Sequence, residues 1–307
     1  MTREPRALPP TERRNERASE LDLLSTPEVL LLMNDEDARV PGAVRACVDD
    51  IARAVDGIVG RLRAGGRLVY VGAGTSGRLG VLDASEAPPT FGVAPTLVVG
   101  VIAGGDAALR RSIEGAEDEA DAAVRALVEL GLSGRDAVVG ISAGGRTPFV
   151  KGALAHAKAA GAFTVALTCN ATAPIVSGVD AVIAPQVGAE IVAGSTRLKS
   201  GTAEKLVLNM LSTATMVRLN KTYGDLMVDL KAVSAKLRER ALRILRETTG
   251  AEEARARETL DATEWSVKPA ILMLRAGVDR AEAERRLAAA DGSLRRALGE
   301  HSAFPPM

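Results

Sequence analysis

The chain is poor in aromatic side chains, with one Trp, two Tyr and four Phe among 307 residues. Its hydrophobic share is still 47%, so a core for a chain of this length has to be built from Ala, Val, Leu and Ile. Cysteine is scarce as well. Cys47 and Cys169 are too few and too far apart for a disulfide framework or a zinc site, and Cys169, closing an apolar run, reads as core. The two histidines, His156 and His301, stand without a Cys or Asp partner, so no metal site is expected. Lys plus Arg equals Asp plus Glu at 39 each. A chain without net charge offers no field for nucleic acid or an anionic membrane. No apolar run approaches the length of a membrane span, and the polar start MTREPRALPPTERRNE does not read as a secretory leader. A cytoplasmic enzyme is the expectation.

What is present falls into three parts. Residues 1 to about 18 are charged and contain proline, and read as a loosely held arm. From Ser25, STPEVLLLMNDED carries a helix-start signature, and Val44, Val48, Ile51, Val55, Ile58 and Leu62 recur at helical spacing until Gly65 and Gly66. Five short apolar runs follow: RLVYVGAG, TLVVGVIAGG, DAVVGISAGG, FTVALTCN and DAVIAPQVG. They are β-branched and continuous, as strands buried on both faces are. Helical stretches lie between several of them, including RRSIEGAEDEADAAVRALVEL, which carries Glu117, and TPFVKGALAHAKAAG. Strand alternating with helix predicts an α/β fold with a doubly wound parallel sheet, whose ligand site lies at the carboxyl ends of the strands. After the long helix EKLVLNMLSTATMVRL the chain reads as wholly helical, and residues 251–298 read as three short helices of a small bundle. The expected domains are 1–59, 60–223 and 224–307.

Glycine and hydroxyl groups cluster at the strand ends. Gly72, Gly74 and Gly77 in GAGTSG match the dinucleotide pattern, but the second strand ends in Ala-Gly-Gly where an acid should hold the ribose. The helix after Gly77 is expected to be short, closed by Pro88 and Pro89. No nicotinamide cofactor is therefore expected. Thr75 and Ser76 sit inside the first loop; ISAGGRTP brings Ser142, Arg146 and Thr147; GAEIVAGSTRLKSGT brings Glu190, Ser195, Thr196, Arg197, Lys199 and Thr202. Glycine-turn N–H groups, hydroxyls and a helix N-terminus together suit an anionic ligand such as a phosphate. Gly77 and Gly145 would supply backbone there. Two carboxylates stand out: Glu86, expected to be buried beside the Pro-Pro pair, and Glu117, flanked by Glu114 and Asp118.

These motifs, GAGTSGRLGVLDASEAPPTFGV, IEGAED, GRTPFV, GSTRLKSGTAEKLVLNMLST and YGDLMVD, resemble the N-acetylmuramic acid 6-phosphate etherases, in order and over nearly the whole chain. The resemblance implies a sugar isomerase (SIS) fold, a helical C-terminal domain, a homodimer, and no metal or organic cofactor. It implies cleavage of the D-lactyl ether of N-acetylmuramic acid 6-phosphate with water, giving N-acetylglucosamine 6-phosphate and D-lactate in cell-wall amino sugar recycling. The family's catalytic glutamates fall on Glu86 as proton donor and Glu117 as base. Its phosphate- and sugar-holding loops fall on Thr75, Ser76, Arg78, Arg146, Thr147, Ser195 and Lys199. Gly144 stands where many members carry Ser, so Ser142 or the Gly144 N–H would have to substitute. A non-catalytic sugar-phosphate sensor resembling glucokinase regulatory protein is the rival reading. It should lack one glutamate or carry further domains.

Overall fold

The computed structural model describes residues 8–300, so His301 lies outside it. The chain forms two compact units, one of residues up to Ser85 with Pro95–Ser212, the other of Glu86–Ala94 with residues from Thr213 on. No helix among the described residues is long and apolar enough to cross a membrane.

In the first unit the arm is held, not loose, from Leu8 on. Thr11 is buried, the Gly194 N–H donates to its carbonyl, and Asn15 Nδ2 reaches the Ala189 carbonyl at 3.4 Å. Helix α1 (Thr26–Asp37) opens with a capping box between Ser25 and Glu28. The apolar repeat expected as one helix is two, α2 (Val40–Arg45) and α3 (Val48–Arg63), parted at Ala46 and Cys47. Ile51, Val55, Ile58 and Leu62 form the buried face of α3. Gly65, at φ +80°, ends it, and the N–H groups of Gly65 and Gly66 take up the Leu62 and Arg61 carbonyls.

Each apolar run is a strand: β1 (Leu68–Gly72), β2 (Val98–Ile102), β3 (Ala137–Ile141), β4 (Phe163–Leu167) and β5 (Ala181–Ile183). All pairs are parallel, in the order β2-β1-β3-β4-β5. Such a sheet needs cover on both faces. On one face Val69, Val71, Val138 and Ala166 pack with Leu127 of α6 (Ala120–Glu129) and with Val150 and Leu154 of α7 (Pro148–Ala159); α5 (Ala107–Arg110) is a single turn after β2. On the other face Gly57 of α3 lies under the Phe163 ring, where a β-carbon would come within 2.2 Å of it.

Helix α4 (Gly74–Phe91) follows β1 and runs through Pro88 and Pro89, not short of them. Each proline removes the bond from its own nitrogen and crowds the carbonyl four residues back, here those of Ala84 and Ser85. Burial of Ala87 and Phe91 and the Gly92 N–H bond to the Pro88 carbonyl fix the end. The buried Asp83 of α4 accepts from Tyr70 Oη, Asn209 Nδ2 and Ser212 Oγ, at 2.9, 2.8 and 3.1 Å, which ties α4 to β1 and to α8 (Lys199–Arg218).

The second unit has its own core: Val228, Leu230, Leu242, Leu245, Leu260, Ile271 and Leu287 are buried together. Its helices are α9 (Ala235–Thr249), α10 (Glu253–Ala262), α11 (Val267–Ala276), α12 (Arg280–Ala289) and α13 (Leu294–Ala297). Residues 251–298 thus hold four helices instead of three, the last being one turn whose first N–H groups Ser293 caps. Trp265 packs on this core beneath the Arg238 guanidinium, 5.2 Å from its ring centre.

Asp136, just before β3, is buried and accepts from Arg67 N at 2.8 Å, Arg67 Nη2 at 3.0 Å and Ser133 N at 2.8 Å. Burial opposes its charge, but Arg67 and Ser133 hold the carboxyl below its ordinary range. Asp136→Ala should therefore leave the Arg67 and Ser133 N–H groups without their acceptor and lower unfolding free energy by about 2 kcal/mol in a urea melt. A loss under about 0.5 kcal/mol would contradict this.

Candidate active site

The sheet order reverses between β1 and β3, which opens a crevice at the carboxyl ends of those strands. Two of the glycine loops border it. In the first, Gly74 has φ +53°. The Gly77 N–H bonds the Ala73 carbonyl at 3.2 Å, so the N–H groups of Gly74, Thr75 and Ser76 stand ahead of the first bond of α4. Thr75 is half-buried. Ser76 is buried and its Oγ lies 2.9 Å from Oε1 of Glu204 on α8. Arg78 donates through Nε to the Leu109 carbonyl at 3.3 Å.

In the second loop, Ser142 Oγ lies 2.9 Å from Thr147 Oγ1 and accepts the Gly145 N–H at 3.1 Å. Thr147 is the N-cap residue of α7, with Pro148 at its first position. Arg146 is exposed. The loop's own carbonyls are occupied: Thr168 Oγ1 donates to Ala143 O and Asn170 Nδ2 to Gly144 O. A β-carbon on Gly144 would meet only Thr11 Oγ1, at 3.5 Å, and that buried hydroxyl has no partner among the described residues. The arm therefore reaches this loop, which its composition does not reveal.

In the third segment Glu190 and Lys199 have partners within the chain. Glu190 is fully buried and accepts from Lys199 N at 3.0 Å and from Ser200 N and Ser200 Oγ at 2.9 Å each. Its carboxylate caps the N-terminus of α8. The Lys199 ammonium is 2% exposed and bound to Glu36 of α1. Arg17 and Arg39 also reach Glu36. Burial alone would raise the Glu36 carboxyl, but Lys199 and the two arginines hold it at about 2. Ser195 and Thr196 are half-buried in the turn before α8, and Arg197 is exposed.

Glu117 is not on a helix. It lies in a 3-10 turn, Ala116–Asp118, set up by Gly115 at φ +74°. It is exposed and lines a cavity of about 290 Å³ with Gly74, Arg78, Ala103 and Ser112. One candidate carboxylate thus stands beside the first glycine loop. Glu86, further along α4, belongs to the second unit and is exposed, not buried as its sequence setting suggests. The residue that sequence reasoning missed is Glu204, fully buried, with Oε2 unpartnered among the described residues. Burial raises its carboxyl to about 8, against the bond from Ser76. Among the described residues no three His, Cys, Asp or Glu side chains are grouped to hold a metal ion.

Residues 50–158 match the family of the glucokinase regulatory protein N-terminal SIS domain. The chain is 52% identical over 288 residues to N-acetylmuramic acid 6-phosphate etherase of Caldanaerobacter subterraneus subsp. tengcongensis, covering 94% of each chain. It is 54% identical to the enzyme of that name from Serratia proteamaculans, covering 94% of this chain and 97% of that one. Among solved structures, a phosphoheptose isomerase from Francisella tularensis superposes with TM-score 0.51 at 17% identity, over 63% of this chain and all of that one. At that identity the likeness establishes the fold alone.

The two neighbouring glycines of the second loop should respond oppositely to substitution. Gly145 has φ +66°, and a β-carbon there would lie 2.2 Å from Ala173 Cβ. Gly145→Ala should cost about 2 kcal/mol or more, whereas Gly144→Ser should stay within about 0.5 kcal/mol because its hydroxyl meets the unpartnered Thr11. Thermal melts of the two variants check the contrast; equal losses would refute it.

Proposed function

The chain belongs to the N-acetylmuramic acid 6-phosphate etherase family, and from that membership we propose that it cleaves the D-lactyl ether of N-acetylmuramic acid 6-phosphate, releasing N-acetylglucosamine 6-phosphate and D-lactate. The observation that carries the reading is similarity above 50% with relatives of that name over 94% of the chain. The SIS match over residues 50–158 is compatible with a sensor. Both candidate glutamates are present, however, and the full-length likeness is to etherases.

The chemistry sets what the site has to supply. An ether oxygen is a poor leaving group unless carbanion character develops next to it. Opening the sugar ring exposes the C1 aldehyde and acidifies the C2 proton. A base removes that proton, an acid protonates the departing lactate oxygen as the C3–O bond breaks, and water adds to the unsaturated aldehyde at C3. We assign the base to Glu117 and the acid to Glu86. Supporting Glu117 is its place in the wall of the cavity beside Gly74 and Arg78. Glu86 is exposed in the single chain, so the burial that would ready it as an acid is assigned to bound substrate or to a second copy. The 6-phosphate is placed against the first turn of α4 and the Ser142–Thr147 loop, with Thr75, Ser76 and Thr147 as hydroxyl donors. Arg146, Ser195 and Thr196 stand at the rim. Remote binding energy at the phosphate would orient the sugar for proton removal at C2 and loss of lactate at C3. We place the reaction in the cytoplasm, in the recycling of cell-wall amino sugars.

We also propose a homodimer. Val207, Leu208, Leu211 and Met216 of α8 are already buried within the chain. Leu30 and Leu31 of α1, 59% and 66% exposed, with Leu23 before them, are the better candidates. Light scattering should give twice the chain mass, and Leu30→Glu with Leu31→Glu should halve it. A wild-type mass of one chain would remove the dimer.

The glutamate roles are separable because proton removal precedes loss of lactate. Glu117→Gln should bind substrate but fail to exchange the C2 proton with deuterated solvent. Glu86→Gln should still exchange it while releasing D-lactate about 10²-fold or more slowly. The opposite pattern would reverse the roles, and full lactate release by both variants would refute the mechanism.

A further inference from the structure

Glu204 and Ser76 are 128 residues apart and share one buried hydrogen bond of 2.9 Å between Oε1 and Oγ. The second oxygen, Oε2, has no partner among the described residues. An ionised carboxylate so placed would keep a desolvated oxygen with no counter-charge, whereas a neutral acid leaves there only a weak carbonyl acceptor. The surrounding groups supply no cation. The Cys169 thiol, after β4, is pushed up by burial first and then by Glu204, and so stays uncharged; Glu190 and Cys47 lie beyond it. On α4 the nearest titratable groups along the chain are Arg78, which bonds Leu109 O, and Asp83, which faces Tyr70. On α8 itself Lys199 is bound to Glu36, and Lys205 is exposed and acts on Asp83. The influences on Glu204 are burial and the Ser76 bond.

A hydroxyl can donate one hydrogen bond at a time. If Ser76 donates to Glu204, its proton is turned away from the loop. If Glu204 donates to Ser76, the serine proton is freed for the open end of α4. We propose that Glu204 is a positioning residue for phosphoryl recognition: protonated, it donates to Ser76 Oγ and so turns the Ser76 hydroxyl toward the phosphate of the bound sugar. The inference rests on the reading above that this loop takes the 6-phosphate. Ionised Glu204 would hold the serine proton for itself and set a negative charge behind the anion.

Affinity for the sugar phosphate should then fall as pH rises through about 8, where Glu204 loses its proton. The phosphate loses its second proton with a pKa of about 6, so its own titration is nearly over at the start of a range of about pH 7 to 9.5. The test is calorimetric titration of the full chain with N-acetylglucosamine 6-phosphate across that range. The wild-type Kd should rise about tenfold per unit at the alkaline end, which is the limiting slope for one required proton. Glu204→Gln, whose amide donates to Ser76 and never ionises, should keep the neutral-pH affinity within a few fold and lose the slope. Ser76→Ala should bind weakly at every pH and keep only the shallower slope that the Glu204 charge itself produces. A flat wild-type profile would overturn the proposal without need of any variant, as would an unchanged slope in Glu204→Gln. If wild type bound no sugar phosphate at any pH, the phosphate-site reading itself would fall and take this inference with it. Tight binding with a flat profile would leave that reading standing and remove only the role of Glu204.

Discussion

A β-carbon on Gly72, at the end of β1, would lie 2.7 Å from the backbone nitrogen of Gly77, and one on Gly77 would lie 2.7 Å from the Gly72 carbonyl oxygen and 2.6 Å from Ile102. Backbone rests on backbone here, and only two glycines allow it. That approach lets α4 begin directly over the strand end, and everything on its first turn, Thr75, Ser76 and Arg78, takes its position from it. It also explains why the segment matches a dinucleotide pattern without the ribose acid. Two of the three glycines answer strand–helix packing and the third a positive φ, so the pattern reports how the helix starts and is silent on what it binds.

Three buried glutamates in contact with α8 show how differently a low-dielectric interior can accommodate one side-chain type. Glu190 collects the N–H groups that begin α8. Glu36 stays ionised because Lys199, Arg17 and Arg39 surround it. Glu204 has only the Ser76 hydroxyl as a partner among the described residues, and burial raises its carboxyl to about 8. Between them they orient α1 and α8 against α4, so the electrostatics of the wall and the geometry of the loops are one construction.

The sheet was legible in the sequence because each strand is an apolar, β-branched run bounded by glycine, and a buried parallel strand has few other ways to look. The presence of helices was legible by their period, with the start of α1 marked at Ser25, but not every boundary: the repeat before Gly65 is two helices and residues 251–298 hold four. What was hidden depends on partners far away in the chain. The cost of Pro88 and Pro89 turns on where in α4 they fall and on the burial around them. The arm is held through Gly194 and Ala189, some 180 residues from Thr11 and Asn15. Glu190, in a glycine-rich loop, looks like a ligand group because the N–H groups it caps leave no mark on the sequence. Glu204, between Ala203 and Lys205, reads as the solvated face of a helix until Ser76 is packed against it. Glu117 stands out in the sequence as a carboxylate, but the turn that carries it hangs on the conformation of Gly115.

The scarcity of aromatic side chains has an optical consequence. The one tryptophan, Trp265, lies in the second unit beneath Arg238, and the first unit carries no indole at all. Excited near 295 nm, the protein emits from the helical bundle alone, and a guanidinium 5.2 Å from the ring centre is a local perturber of that emission. Intrinsic fluorescence therefore follows the bundle, while the parallel sheet and its glycine loops are dark at that wavelength and far-ultraviolet circular dichroism sums the backbone of both units. The divergence or coincidence of the two signals measures whether the units unfold separately or as one.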